Sequence, residues 1–294
     1  MQLYALDPQK QLISAAQASR HRNYACLECQ GVVRLRGGIH RQNHFFHLEL
    51  GLTCHLSGKS MAHLQVQCLL QRLIPPGESR LEYRFPKINR IADVVWFQGK
   101  LIFEIQCSPI SAMEVAKRNQ DYHSMGYQVI WVLHDQQFNQ WKISAAELHL
   151  RHQPLYYTNI DGDGNGFIYD QFDVIAQGLR RNRGKCVPVN LHRPSMLNRI
   201  KMASLIEMID MPLFIRNRIK TVPIYFEGDL THRYLSNNID LQETFDEIRE
   251  IEKANLPPVQ PKESWIEKII SFGKQYVVQP YLYLLQHLLE RACQ

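Results

Sequence analysis

Two apolar runs, Ile91-Ala92-Asp93-Val94-Val95-Trp96-Phe97 and Leu101-Ile102-Phe103-Glu104-Ile105-Gln106-Cys107, flank the short segment Gln98-Gly99-Lys100, and each carries a single acid. Their β-branched and aromatic content predicts two strands joined by a tight hairpin turn. Asp93 and Glu104 are therefore expected to be buried, and a buried carboxylate without a partner is costly. Each must pair with a cation, accept several hydrogen bonds or bind a metal. Spacing alone leaves two solutions open: ion pairs, with Asp93 on Arg90 and Glu104 on a nearby Lys or Arg, or a shared metal. Strand alternation puts Glu104 and Gln106 on one face and Ile105 on the other. The turn brings Asp93 across from Glu104 or within one residue of it. Such an oxygen-rich pocket suits Mg²⁺ or Mn²⁺ better than zinc. An ion there can activate water and stabilise the leaving oxygen of a phosphodiester.

The neighbouring segments build an α/β sandwich around this hairpin. Ser60 precedes a run with apolar residues at helical spacing that ends at Pro75-Pro76-Gly77, and Arg80 to Phe85 reads as another strand. A second helix is predicted over Ser111 to Met125 with Gly126 as its stop, and Tyr127 to Leu133 is apolar enough for a buried strand. His63 and Gln67 lie one helical turn apart on the first helix, as Arg118 and Tyr122 do on the second. Glu82 is a candidate further carboxylate of the site.

The first 58 residues form a different block. Cys26-Leu27-Glu28-Cys29 has the spacing of a zinc knuckle, and His44, His47 and Cys54 offer the second half, with His44 and His47 as rival ligands. So short a segment gains folding free energy from a structural metal. Seven cysteines, an odd number unevenly spread, fit a metal site plus single thiols in a reducing compartment better than a disulfide framework. The net charge of +6 suits a partner carrying phosphates. No apolar stretch reaches the roughly 20 residues that cross a bilayer, so a cytoplasmic protein is expected.

Signals thin out beyond residue 135. A hairpin is predicted over Leu155 to Phe172, and its Asp161-Gly162-Asp163-Gly164-Asn165-Gly166 turn copies half of a calcium loop but has Phe172 where that loop needs glutamate. A basic segment from Arg180 to Lys220 could neutralise phosphates or be a solvated face. An acidic helix is expected from Leu241 to Lys253, a linker at Leu256 to Pro261, and two helices within Trp265 to Ala292.

The combination of Ser60 and His63, Arg90 to Val94, Glu104-Ile105-Gln106-Cys107-Ser108, Arg118 with Tyr122, and Gly126 before Trp131 resembles the competence protein CoiA-like family, a branch of the PD-(D/E)xK nuclease superfamily. The resemblance implies an α/β, PD-(D/E)xK restriction-endonuclease-like core over 59–150. An N-terminal zinc-ribbon-like module would cover 1–58 and a partly basic, mainly helical region 151–294. It implies a Mg²⁺-dependent (or Mn²⁺-dependent) phosphodiesterase acting on DNA in competence-linked uptake or recombination, with competence or recombination proteins as partners. Asp93 and Glu104 become metal ligands, Gln106 takes the place where most of the superfamily has lysine, and His63 and Glu82 join the catalytic set. Arg90, Ser108, Arg118 and Tyr122 become substrate contacts, and Cys26, Cys29, His47 and Cys54 the zinc ligands. An amide at Gln106 can neither carry lysine's charge nor act as a base. The alternative is therefore a catalytically inactive DNA-binding or scaffold protein that keeps the fold.

Overall fold

The computed structural model describes residues 1–39, 41–49, 54–197 and 211–255. The chain divides into two compact units, Met1–Ile251 and Glu252–Gln294. The linker at 256–261 and the two helices expected within 265–292 lie outside the described residues.

The N-terminal block is a five-stranded antiparallel sheet made of β1 (Tyr4–Leu6), β2 (Leu12–Ser14), β3 (Asn23–Ala25), β4 (Val32–Gly38) and β5 (Arg41–His47), in the order β2-β1-β3-β4-β5. Its small core gathers Ala5, Tyr24, Cys26, Val33, Phe45, Cys54 and Leu56. A 3₁₀ turn over His55–Gly58 leads to α1 (Met61–Leu73), capped by the Ser60 side chain accepting the His63 N–H.

A seven-stranded mixed sheet follows. It contains β6 (Ser79–Phe85), β7 (Arg90–Trp96), β8 (Leu101–Gln106), β9 (Gln128–His134), β10 (Leu155–Thr158) and β11 (Ile168–Asp170). Between them stand α2 (Ala112–Ser124) and α3 (Ala145–Leu150); Gly126, at φ +79°, makes the stop after α2. β6, β7 and β8 pair antiparallel, whereas β8, β9 and β10 are parallel neighbours, which accounts for the uninterrupted apolar run of β9. One face packs α1 through Leu64, Val66 and Leu70 on Val94, Phe103, Ile105 and Val132. The other packs α2 and α3 through Val115, Tyr122, Ala146 and Leu150 on Val95, Ile102, Trp131 and Leu133.

The sheet continues past residue 150 through β10 and β11, the expected hairpin, and then a short strand at Val187–Pro188. Beyond residue 170 the described chain adds a hairpin, β12 (Asp173–Ala176) with β13 (Leu179–Arg183), and the short β14 (Val187–Pro188). β15 (Asn190–Met196) pairs with β16 (Ile224–Glu227), and the helices are α4 (Leu213–Thr221), α5 (Leu230–Leu235) and α6 (Gln242–Asn255). The described part of the C-terminal region is thus mixed, with strands over 155–196 and at 224–227 and helices between 213 and 255. Segments 155–197 are strands because each is only two to seven residues long and finds a pairing edge that local periodicity does not reveal.

The basic segment is also not one charged face. Arg180 is fully buried, donating to Asp173 and Glu147 at 2.6 Å each, and Arg218 is buried on Asp170 at 2.5 Å. Asp229, the N-cap of α5, lies in the second of these networks and also accepts the Tyr156 hydroxyl and the Phe226 N–H. Burial and the negative Asp170 push the Asp229 carboxyl from 3.8 to about 6, against the pull of Arg218. Because the folded-state pKa lies above the unfolded one, the stabilisation from protonated Asp229 is full below pH 3.8 and lost as the pH rises through about 6. The difference amounts to about 3 kcal/mol. Asp229→Asn, which can still cap α5, should therefore lose this part of the pH dependence of stability. Urea denaturation of both proteins across that window measures it, and parallel pH profiles would refute it.

Candidate active site and metal cluster

The ladder between β6 and β7 is regular except at one step. Leu81 pairs with Val94 and Tyr83 with Ala92, but Glu82 and Asp93 between them are skipped. Glu82 adopts φ +50°, a left-handed conformation that disfavours any side chain with a Cβ. The faces exchange at this point: Leu81 and Val94 pack on the α1 side, whereas Tyr83 and Ala92 pack on the α2 side. Both acids are thereby released from simple alternation, Asp93 toward α1 and β8 and Glu82 toward Lys59 and the N-terminal Leu3 and Tyr4.

Asp93 is 5% exposed and its oxygens are fully used. Oδ1 lies 2.7 Å from Lys59 Nζ, 3.0 Å from His63 Nε2 and 3.3 Å from Gln67 Nε2, and Oδ2 accepts the Ile105 N–H at 2.9 Å. Lys59 Nζ also reaches Glu82 Oε1 at 3.2 Å, and Glu82 Oε2 accepts the N–H groups of Leu3 and Tyr4. Burial alone would raise the Asp93 carboxyl, but His63 and Lys59 hold it well below the usual carboxylate range. His63 is pushed down by burial, with Lys59 adding to the effect, so the fixed positive charge here belongs to Lys59. Burial would lower the Lys59 ammonium too, but Asp93 and Glu82 raise it above its ordinary value.

Glu104 is 1% exposed and faces α2. Its Oε1 accepts the Tyr122 hydroxyl at 2.7 Å and its Oε2 the Arg118 guanidinium at 2.8 Å. Burial pushes its carboxyl up, against the pull of Arg118, and the negative Asp93 adds to the rise. The pairing of Val94 with Phe103 sets Asp93 and Glu104 at facing positions of β7 and β8. Their carboxylates nevertheless have separate partners on separate helices.

The other expected residues are placed as follows. Gln106 turns its amide to the backbone and hydroxyl oxygens of Ser108, away from Asp93. Arg90 meets neither site carboxylate; it bridges Glu114 and Asp121 on α2. Arg118 and Tyr122 converge on Glu104, and His63 and Gln67 on Asp93. Lys59 is the site residue that sequence reasoning passed over, because it precedes the helix and belongs to no periodic pattern. Asp161 holds its own turn through the N–H groups of Asp163 and Asn165, as a Gly-rich hairpin turn does.

Cys26, Cys29, His47 and Cys54 converge with all four ligand atoms within 4.8 Å of one another, the one such group among the described residues. Cys26 and Cys54 Sγ lie 3.6 Å apart, near the ~3.8 Å edge of a tetrahedron with 2.3 Å zinc–sulfur bonds. Three thiols and an imidazole can hold a zinc ion. His44 is directed elsewhere, with Nδ1 at the Gln42 carbonyl, so His47 is the histidine of the group.

The site is thus an α/β sandwich with buried acids at facing positions of a central hairpin, beside a small Cys/His cluster that could hold a metal ion. Residues 53–170 match the family described as competence protein CoiA, nuclease-like domain. No curated protein and no solved structure matches the chain. Among the described residues no helix is long and apolar enough to cross a membrane.

Purified protein should carry one zinc per chain, and Cys29→Ser or Cys54→Ser should lose it and melt several degrees lower, because the small N-terminal core loses its cross-link. Elemental analysis and thermal melts decide; full zinc content in both variants would remove the cluster as a metal site.

Proposed function

We propose that the nuclease-like segment is a PD-(D/E)xK core that cuts DNA with the help of Mg²⁺ or Mn²⁺, in competence-linked uptake or recombination. The observation that carries this reading is the pair of buried carboxylates, Asp93 and Glu104, at facing positions of β7 and β8 within the matched segment. A cation already lies among carboxylate oxygens here, as the Lys59 ammonium, and the fully buried Gln67 Oε1 beside Asp93 is an acceptor without a partner. The donor chemistry therefore fits a hard divalent ion. Asp93 and Glu104 would hold it, and when bound it supplies an activated water and neutralises charge at the phosphodiester.

The chain's own residues prepare the site. His63 and Gln67 orient Asp93, and Arg118 and Tyr122 orient Glu104. Gln106 and Ser108, at the exposed end of β8, are assigned to water and substrate contact. Arg90, with its charge shared by two carboxylates, serves as a brace for α2 better than as a phosphate ligand.

One observation favours a second reading, a DNA-binding scaffold that no longer cuts: each carboxylate has its own cationic partner, as a purely structural ion pair would. Cleavage of labelled single-stranded, duplex and branched DNA with Mg²⁺, Mn²⁺ or EDTA separates the two. Under the nuclease reading, Asp93→Ala and Glu104→Ala each slow cutting by at least about 100-fold, the scale on which even outer-shell changes disable metal sites. No cutting by folded, zinc-loaded protein that still binds DNA would establish the scaffold.

A further inference from the structure

We propose that Lys59 is a positioning residue of the cleavage site, supplying from the start of α1 the fixed positive charge that Gln106 cannot supply from β8; this rests on the nuclease reading above. Three observations meet at this side chain. Its ammonium bridges Asp93 Oδ1 at 2.7 Å and Glu82 Oε1 at 3.2 Å, with 9% of the side chain exposed. Gln106, whose amide carries no charge, donates to Ser108. The buried Gln67 Oε1 beside Asp93 lacks a hydrogen-bond donor, so the ground around the ammonium has acceptor capacity left over.

The backbone at Lys59 is held in place from both sides. The Met1 amino group donates to the Lys59 carbonyl at 3.3 Å, and the next residue, Ser60, is locked as the N-cap of α1. Glu82, the other end of the bridge, is anchored by the Leu3 and Tyr4 N–H groups and sits where the ladder is broken. A long side chain that would otherwise lose its freedom at a cost is thus pre-ordered by the fold. A preorganised charge in a water-poor site acts on a developing negative charge far more strongly than a solvated one. The ammonium fixes Asp93 in one orientation and sets a positive charge beside an acid whose strand position faces that of Glu104.

The test compares Lys59→Met and Lys59→Arg with wild type in metal-dependent DNA cleavage, with Mn²⁺ titration calorimetry and thermal melts on each protein. Removing the ammonium leaves two buried acids short of a partner, so Lys59→Met is also made together with Glu82→Gln, which keeps the buried charge balanced, and read against Glu82→Gln alone. The expected result is a loss of about 100-fold in kcat with KM little changed, Mn²⁺ affinity not raised, and recovery of most activity by Lys59→Arg at similar melting temperature. Lys59→Met that cuts as well as wild type, or binds Mn²⁺ more tightly and cuts faster, would overturn the proposal and make the ammonium a plug that the metal displaces. Equal losses in the Arg and Met variants, tracking lowered melting temperatures, would also overturn it in favour of a structural ion pair. Wild-type protein that fails to cut refutes the nuclease reading itself, and the inference with it, whereas cutting that is indifferent to Lys59 refutes the inference alone.

Discussion

The burial of Asp93 between β7, β8 and α1 is the constraint around which the first half of the molecule is arranged. An ionised carboxylate so far from water is tolerable only when its oxygens are met by donors and its charge by a cation. Here the donors are four residues from three stretches of chain: Lys59 before α1, His63 and Gln67 on it, and the Ile105 N–H of β8. Satisfying that one group fixes the height and rotation of α1 against the sheet. Through Lys59 and Glu82 it also ties in the N-terminal strand, whose Leu3 and Tyr4 N–H groups complete the shell of Glu82. The interrupted ladder and the left-handed Glu82 are the local strain that this arrangement requires.

Glu104 repeats the logic on the other face with different partners. Arg118 and Tyr122, one helical turn apart on α2, take its two oxygens, and Arg118 is itself steadied by Glu114, which also meets Arg90. The two acids thus occupy facing positions of the hairpin strands while each carboxylate is orientated by its own helix. A sheet core held this way meets every oxygen of two buried acids with a donor, although only Asp93 is held well below the usual carboxylate range.

Much of the fold was legible in the residues. The hairpin about Gln98-Gly99-Lys100, both flanking helices with their Ser caps, the stop at Gly126 and the apolar β9 all follow from local patterns that the tertiary structure reinforces. The convergence of Cys26, Cys29, His47 and Cys54 was readable from spacing up to the choice between His44 and His47, which only strand register settles. Three things were not readable. Arg90 is the nearest cation to Asp93 in sequence, yet it leans to α2, and Lys59 comes from 34 positions upstream instead. Arg180 and Arg218 look like a phosphate-binding stretch on paper but are consumed by Asp173, Glu147 and Asp170 in the interior. The strands after residue 155 are short, and their pairing partners lie far along the chain.

What the sequence by itself determined is therefore the type of each central element, the burial of Asp93 and Glu104, and the presence of a Cys/His group that could hold a metal ion. These depend on side-chain periodicity, turn chemistry and ligand spacing, which act over a few residues. Only the tertiary structure decided which cation neutralises which acid, that Gln106 turns away while Lys59 turns in, and where the ladder breaks. Charge pairing is settled by distance in space and by loss of water around the pair, and neither quantity is written in the order of residues along the chain.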